Sequence, residues 1–270
     1  MTALHQLETR LGKLKDVREI LTSMKNLALL ETRKLGHRIE TQRAAVAVIE
    51  RAAEDLLTHF PELHPGPEQA PEALVLIGAE RGFCGNFNAR LIDAAGEEPR
   101  PLVAVGRKLY GQLDREPRLA ASVDGPSVCE EIDPILEHLV EALGRLGQMR
   151  LAALYHDSEG TVRQMPLLPP FAHIGLKRTA GLPPVLNLEP ATLFLQLVDQ
   201  YLFAALQLAL VSSMLAENTS RVQHLEGAVQ HLDDRLAALE SRRHQLRQEE
   251  IIEEIEIILL NAIDPRTPAV

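Results

Sequence analysis

The sequence predicts an α/β fold plus a long antiparallel coiled coil: N- and C-terminal helices paired, with a small, mostly parallel α/β domain inserted between them. Three observations predict it. The two ends of the chain lack helix breakers, with no Pro in residues 1–58 or 191–262 and only Gly12, Gly36 and Gly227 among them. Breakers end helices, so such long gaps between them are informative. Both ends also carry apolar residues at alternating three- and four-residue spacing. The middle alternates short apolar runs with helix-periodic segments, the pattern of a strand–helix sheet. The divisions that follow are an N-terminal coiled-coil helix over 1–58, an α/β domain over 59–190, a C-terminal coiled-coil helix over 191–262 and a tail over 263–270.

In the first helix, Leu4, Leu7, Leu11 and Leu14 keep the alternation. Leu14, Val17, Leu21, Met24 and Ala28 continue it after a three-residue skip, and Ala45, Ile49, Ala52 and Leu56 extend the apolar face. In the middle zone, 73–78, 102–106, 150–156 and 161–168 read as strands, while 88–95 and 127–146 read as helices. Together they predict a small Rossmann-like sheet, bounded by the Pro-rich connectors 58–72 and 166–190. The last helix has the clearest seam: Leu215, Asn218, Val222, Leu225, Val229, Leu232, Leu236 and Leu239. The alternation then lands on Arg243, Leu246 and Glu250, and a new stripe of Ile251, Ile255, Ile258 and Leu259 starts out of phase. A seam that changes face needs different surroundings. At ~1.5 Å per residue the two helices would measure about 80 and 105 Å, so each demands a partner, and the longer one ends alone. Residues 1–57 hold ten basic and eight acidic groups against five and nine in 221–256, a difference that would steer pairing.

Composition excludes several classes. A net charge of −10 argues against a general nucleic-acid binder, and 3% aromatics with no Trp argue against a base-stacking surface. Two cysteines, Cys84 and Cys129, form no CxxC pair and no disulfide framework. The longest greasy stretch, Tyr201–Val211, contains Gln207 and falls short of ~20 residues, which predicts no direct membrane span. Residues Met1–Lys15 alternate charge with Leu and show no signal-peptide core. No phosphate loop, HExxH, GxSxG or paired Cys/His metal spacing occurs, so no catalytic residue, cofactor or metal is expected. The loop Gly78–Asn88 stands out: its glycines follow a strand and precede a helix, where backbone N–H groups can cradle an anion. A tight turn with glycines at positive φ fits the same residues.

Three segments carry a resemblance. Ile20-Leu21-Thr22-Ser23-Met24-Lys25 resembles the "KITKAMKMVAA" helix of the γ subunit of F-type ATP synthases, the central rotor shaft. Glu80-Arg81-Gly82-Phe83-Cys84-Gly85-Asn86-Phe87-Asn88 resembles that family's "SDRGLCGGFN". Glu217-Asn218-Thr219-Ser220-Arg221 resembles its "SEnaaRM", and the chain then runs on to Arg247-Gln248-Glu249-Glu250-Ile251, similar to "KARQAAIT". Glu249-Glu250 stands where the family has Ala-Ala, Ser241–Arg247 departs from its "YNKAR" approach, and the middle region is short and Pro-rich; with these departures the chain resembles a divergent γ, such as that of the alternative, often sodium-linked, bacterial ATPase group.

The resemblance implies a non-catalytic rotor that couples ion-driven c-ring rotation to nucleotide binding in the β subunits. It implies contacts to β through Met24, Lys25, Arg247, Gln248, Ile251 and Ile255. The α/β domain would be the foot, with Arg81, Gly82, Cys84, Gly85 and Asn86 toward the c-ring and ε. Partners would be the α and β subunits of the catalytic hexamer, ε and the c-ring, at the cytoplasmic face of a bacterial inner membrane. A coiled-coil adaptor and a Cys84-dependent α/β enzyme are the alternatives.

Overall fold

The computed structural model describes residues 3–65, 70–147, 149–172, 174 and 185–263. The tail from 264 on, and the connector residues 66–69 and 175–184, lie outside them. Helix α1 runs Ala3–His59 and helix α5 runs Pro190–Ile263. Between them lie β1 (Glu72–Ile77), α2 (Phe87–Ala95), β2 (Leu102–Val105), α3 (Arg107–Tyr110), β3 (Leu119–Val123), α4 (Ile132–Gly144), β4 (Arg150–His156) and β5 (Val162–Leu168). The chain divides into two compact units, Leu27–His224 and a second made of Met1–Asn26 with Leu225–Val270.

In the larger unit the sheet order is β3-β2-β1-β4-β5. All pairings are parallel except the β4–β5 hairpin. Pleating sends alternate side chains to opposite faces, and both faces are apolar here, as a parallel sheet requires. On one face, Val75, Ile77, Val103, Val105 and Ala153 meet Ile132, Leu136 and Leu139 of α4. The same core takes Leu35, Ile39, Val46 and Ala53 from α1, and Ala205, Leu206, Ala209 and Leu210 from α5. On the other face, Leu74, Leu76, Ala104 and Leu154 meet Leu91 of α2 and Leu109 of α3. Each such Leu or Ile contributes roughly 1.5–3 kcal/mol by leaving water. The inner stretches of both long helices are thus part of the sheet's own core.

β3 and the single turn α3 lie between residues 106 and 127, where the sequence pattern assigns no element. β3 alternates half-buried with exposed residues and is rich in Ala and Ser, so it lacks a strand's apolar signature. One stretch of α5 does have the length and composition to cross a bilayer, with mean hydropathy 1.5. The apolar residues concentrated in that helix, from Tyr201 through Val211, include six that are buried against the sheet core: Tyr201, Ala205, Leu206, Ala209, Leu210 and Val211.

In the smaller unit the start of α1 pairs with the end of α5. Lys15 meets Glu240 at 2.7 Å, Lys25 meets Glu226 at 3.2 Å, and Arg18 pairs with Asp233. Rising numbers on one helix meet falling numbers on the other, so the pair is antiparallel. Leu11, Leu225 and Leu236 are buried along the contact. The first helix makes no skip: Leu14, Arg18, Leu21 and Lys25 continue an unbroken four-three alternation of shielded positions, and Val17 is 44% exposed. Arg and Lys hold seam positions by laying their aliphatic stems along the apolar contact while their heads reach acids opposite. The second helix also keeps register further than its apolar residues suggest, since Arg243, Leu246 and Glu250 are half-buried.

Candidate partner interfaces

The loop after β1 is held to α5 by its main chain. Glu80 N–H and Arg81 N–H donate to the Glu217 carboxylate at 3.2 and 3.1 Å. Arg221 Nε donates to Gly82 O at 3.1 Å, and Ser220 Oγ donates to Cys84 O at 3.0 Å. Arg221 also ion-pairs with Glu217 and donates to Asn218 Oδ1 at 2.7 Å. Asn218 in turn donates to Met214 O. Glu217, Asn218 and Arg221 are all buried. Burial raises the Glu217 pKa, while Arg221 and the two loop N–H groups oppose that shift. Asn88 closes the loop from the other side, its Oδ1 accepting from Ala79 N–H at 2.9 Å. The two most distinctive motifs of the sequence therefore bind each other.

Within the loop, Cys84 is buried against Ala79, Phe87 and Ala216. Gly85 has φ +63°, and a Cβ there would sit 2.1 Å from the His224 imidazole, so both conformation and space call for glycine. Arg81, Gly85 and Asn86 are exposed, and Gly82 is half-buried. Burial, helped by the Glu217 charge, pushes the Cys84 thiol up to about 11. A nucleophile needs the opposite shift, so the thiol-enzyme alternative has no activated sulfur. Sequence reading singled out the loop but gave no role to Glu217 and Arg221. Their signal was available: an acid and a base at i, i+4 on the buried stripe that Val211 and Met214 also occupy.

In the two-helix unit, Met24 and Lys25 are half-buried, and the Lys25 ammonium already has Glu226 as its partner. Lys15 holds the Glu240 carboxyl below its usual pKa. Arg247 and Gln248 are exposed. From Ile251 to Leu260 every side chain is exposed. Ile251, Ile252, Ile255, Ile257, Ile258, Leu259 and Leu260 are each about half or more open to solvent (48–69%). The expected narrow stripe is wider, because Ile252, Ile257 and Leu260 add apolar surface around the helix. Among the described residues no group of three or more His, Cys, Asp or Glu side chains could hold a metal ion.

The family model of ATP synthase matches residues 3–259. The chain belongs to the γ-chain family of ATP synthases. The ATP synthase gamma chain of Saccharopolyspora erythraea is 25% identical over 96% of this chain and 96% of its own length. That of Moorella thermoacetica is 26% identical over 97% and 99%. Among solved structures, the OSCP/F1/c-ring assembly of the Euglena gracilis mitochondrial ATP synthase contains a chain of similar fold. It matches with TM-score 0.64 and 14% identity over 99% of both chains. The rotor of the same enzyme matches with TM-score 0.61 and 15% identity, covering 92% of this chain and 98% of that one. As a γ-family chain it has the expected layout of long terminal helices around a mostly parallel sheet.

Proposed function

We propose that this chain is the central-stalk rotor of an F-type ATP synthase, working without bond chemistry of its own. It turns with the c-ring and presents different faces to the catalytic β subunits, so that each binds nucleotide according to the face it meets. Such coupling is a difference in contact free energy between rotor positions. The observation that carries this reading is the bare apolar end of α5. Seven exposed Ile and Leu side chains beyond a paired seam form a surface that needs an apolar sleeve.

On this reading, 1–58 and 191–262 are the shaft and 59–190 is the foot, set at the cytoplasmic face of a bacterial inner membrane. Met24, Lys25, Arg247, Gln248, Ile251 and Ile255 face β. Arg81, Gly82, Cys84, Gly85 and Asn86 belong to the foot loop, directed to the c-ring and ε. Of these, Arg81, Gly85 and Asn86 have the exposure such contacts require.

The test is reconstitution with α and β subunits. Leu232→Pro breaks the second helix inside the paired region, at a cost of about 3 kcal/mol or more, and ATP-driven rotation should fail. Arg247→Ala should weaken torque or assembly while leaving the chain folded. Intact rotation in Leu232→Pro would refute the stiff shaft, and unchanged torque and assembly in Arg247→Ala would remove that residue from the contact set.

A further inference from the structure

The sheet unit spans Leu27–His224, so α1 enters it at Leu27 and α5 leaves it at His224. Just inside its limit, α5 is held to the loop after β1 by Glu217 and Arg221. Just inside the other limit, α1 is held by a second polar cluster, which neither partner surface uses. Glu31, Lys34 and Arg38 share one face of α1 and straddle the fully buried Leu35. They meet the start of α4, where the turn Cys129–Glu131 leads into the helix without a side-chain cap of its own. Helix starts leave N–H groups unpaired. The Glu31 carboxylate supplies a cap from the neighbouring helix, accepting from Cys129 N–H at 2.9 Å. Arg38 donates to Cys129 O at 3.3 Å and to Asp133 Oδ1. That same Asp133 oxygen accepts from Gln207 of α5 at 2.7 Å. One carboxylate of the sheet layer thus takes a bond from each long helix.

The cluster differs from ordinary surface pairing. The Glu31 side chain is only 13% exposed, and its bond to Cys129 N–H is charge-assisted. The Lys34–Glu130 pair beside it is open to water and adds little. Beneath lies the apolar core that Leu35 and Ile39 share with Ile132 and Leu136. Such a core resists separation of the helices, but apolar attraction has no direction. Packed helices slide past one another in small shear motions. Hydrogen bonds weaken steeply as their angles open, so bonds across the contact oppose that slide.

We propose that Glu31 and Arg38 are positioning residues of the rotor. They lock α1 to the start of α4 against sliding, so that a turn of the sheet unit passes into the helix without slack. Asp133 carries the lock on to α5 through Gln207. The assignment rests on the rotor reading and adds to it the side chains through which torque enters α1.

The full chain is reconstituted with α and β subunits, a rotation probe is fixed to the sheet unit, and hydrolysis is stalled. The angular spread of the stalled probe reads torsional stiffness. Glu31→Leu with Arg38→Leu keeps apolar stems on α1 and removes the directional bonds. This double variant should widen the spread while its melting temperature stays close to that of the unaltered chain. Asp133→Ala, at a solvent-open position, keeps the fold, removes the Arg38 and Gln207 arms together and should also widen the spread. Glu31→Gln retains an acceptor for Cys129 N–H and should hold the original spread. A merely structural role predicts the reverse, a lower melting temperature with no change in spread. An unchanged spread in either the double variant or Asp133→Ala overturns the lock, and a spread in Glu31→Gln as wide as in the double variant overturns the capping bond as its basis. An unaltered chain that never rotates in the complex would overturn the rotor reading itself, and this assignment with it.

Discussion

The buried Glu217–Arg221 pair is where single side chains matter most. Each partner satisfies loop backbone as well as the other's charge, and removing one leaves an uncompensated buried ion. Arg221→Ala should therefore destabilise the sheet unit by about 3–5 kcal/mol, seen as a lower denaturant midpoint with an unchanged slope. The double variant Glu217→Met with Arg221→Met should lose less than the two single losses combined. His156 gives a pH signature. Burial first, then the Arg90 charge, lowers its pKa from 6.5 to about 4. The unfolded chain binds the proton more readily between those values. Its contribution is thus complete above pH 6.5 and is lost as pH falls toward 4, by up to roughly 3 kcal/mol. Urea unfolding at pH 7 and pH 4.5 should show that loss, and His156→Phe should remove that part of the slope. The sequence does place His156 at the end of an apolar run, but nothing in it reveals that both ring nitrogens lack partners, since that depends on three separate segments meeting.

At the scale of elements, the long helices were legible because breakers are absent and apolar spacing is regular. What the apolar pattern hid were seam positions filled by charge. Arg18 and Lys25 read as a gap when only greasy residues are counted, yet Asp233 and Glu226 opposite explain them. Ion pairs at a solvent-washed seam add little stability, so these set register and orientation more than stability. The stability of the pairing comes from its buried leucines. Leu236→Ala should cost about 2–5 kcal/mol, and hydrogen exchange should show the loss confined to residues 1–26 and 225–263. β3 escaped because an edge strand of Leu, Ala, Ala, Ser and Val can keep one side in water, which dilutes the strand signal. The antiparallel β5 hairpin was readable as a strand but not in direction, since direction follows from the tight Asp157–Gly160 turn.

For the whole molecule, the rotor reading separates folding from assembly. Ile255→Ser with Ile258→Ser should leave the melting temperature of the chain within a degree or two, because these side chains are 50% and 65% exposed. The same pair should lower assembly or torque in the reconstituted complex. The sequence made the tip visible through its isoleucines. It left the foot loop half-read, because an RGFCGN string does not announce that its own main chain is taken up by α5.

That grip has an evolutionary side. Glu217, Ser220 and Arg221 hold the loop by the N–H groups of Glu80 and Arg81 and the carbonyls of Gly82 and Cys84. Peptide atoms are the same whatever residue bears them, so the outward groups at Arg81, Phe83 and Asn86 can drift while the anchorage persists. A lineage can then rewrite what its loop recognises one letter at a time, without first having to rebuild the joint that presents it.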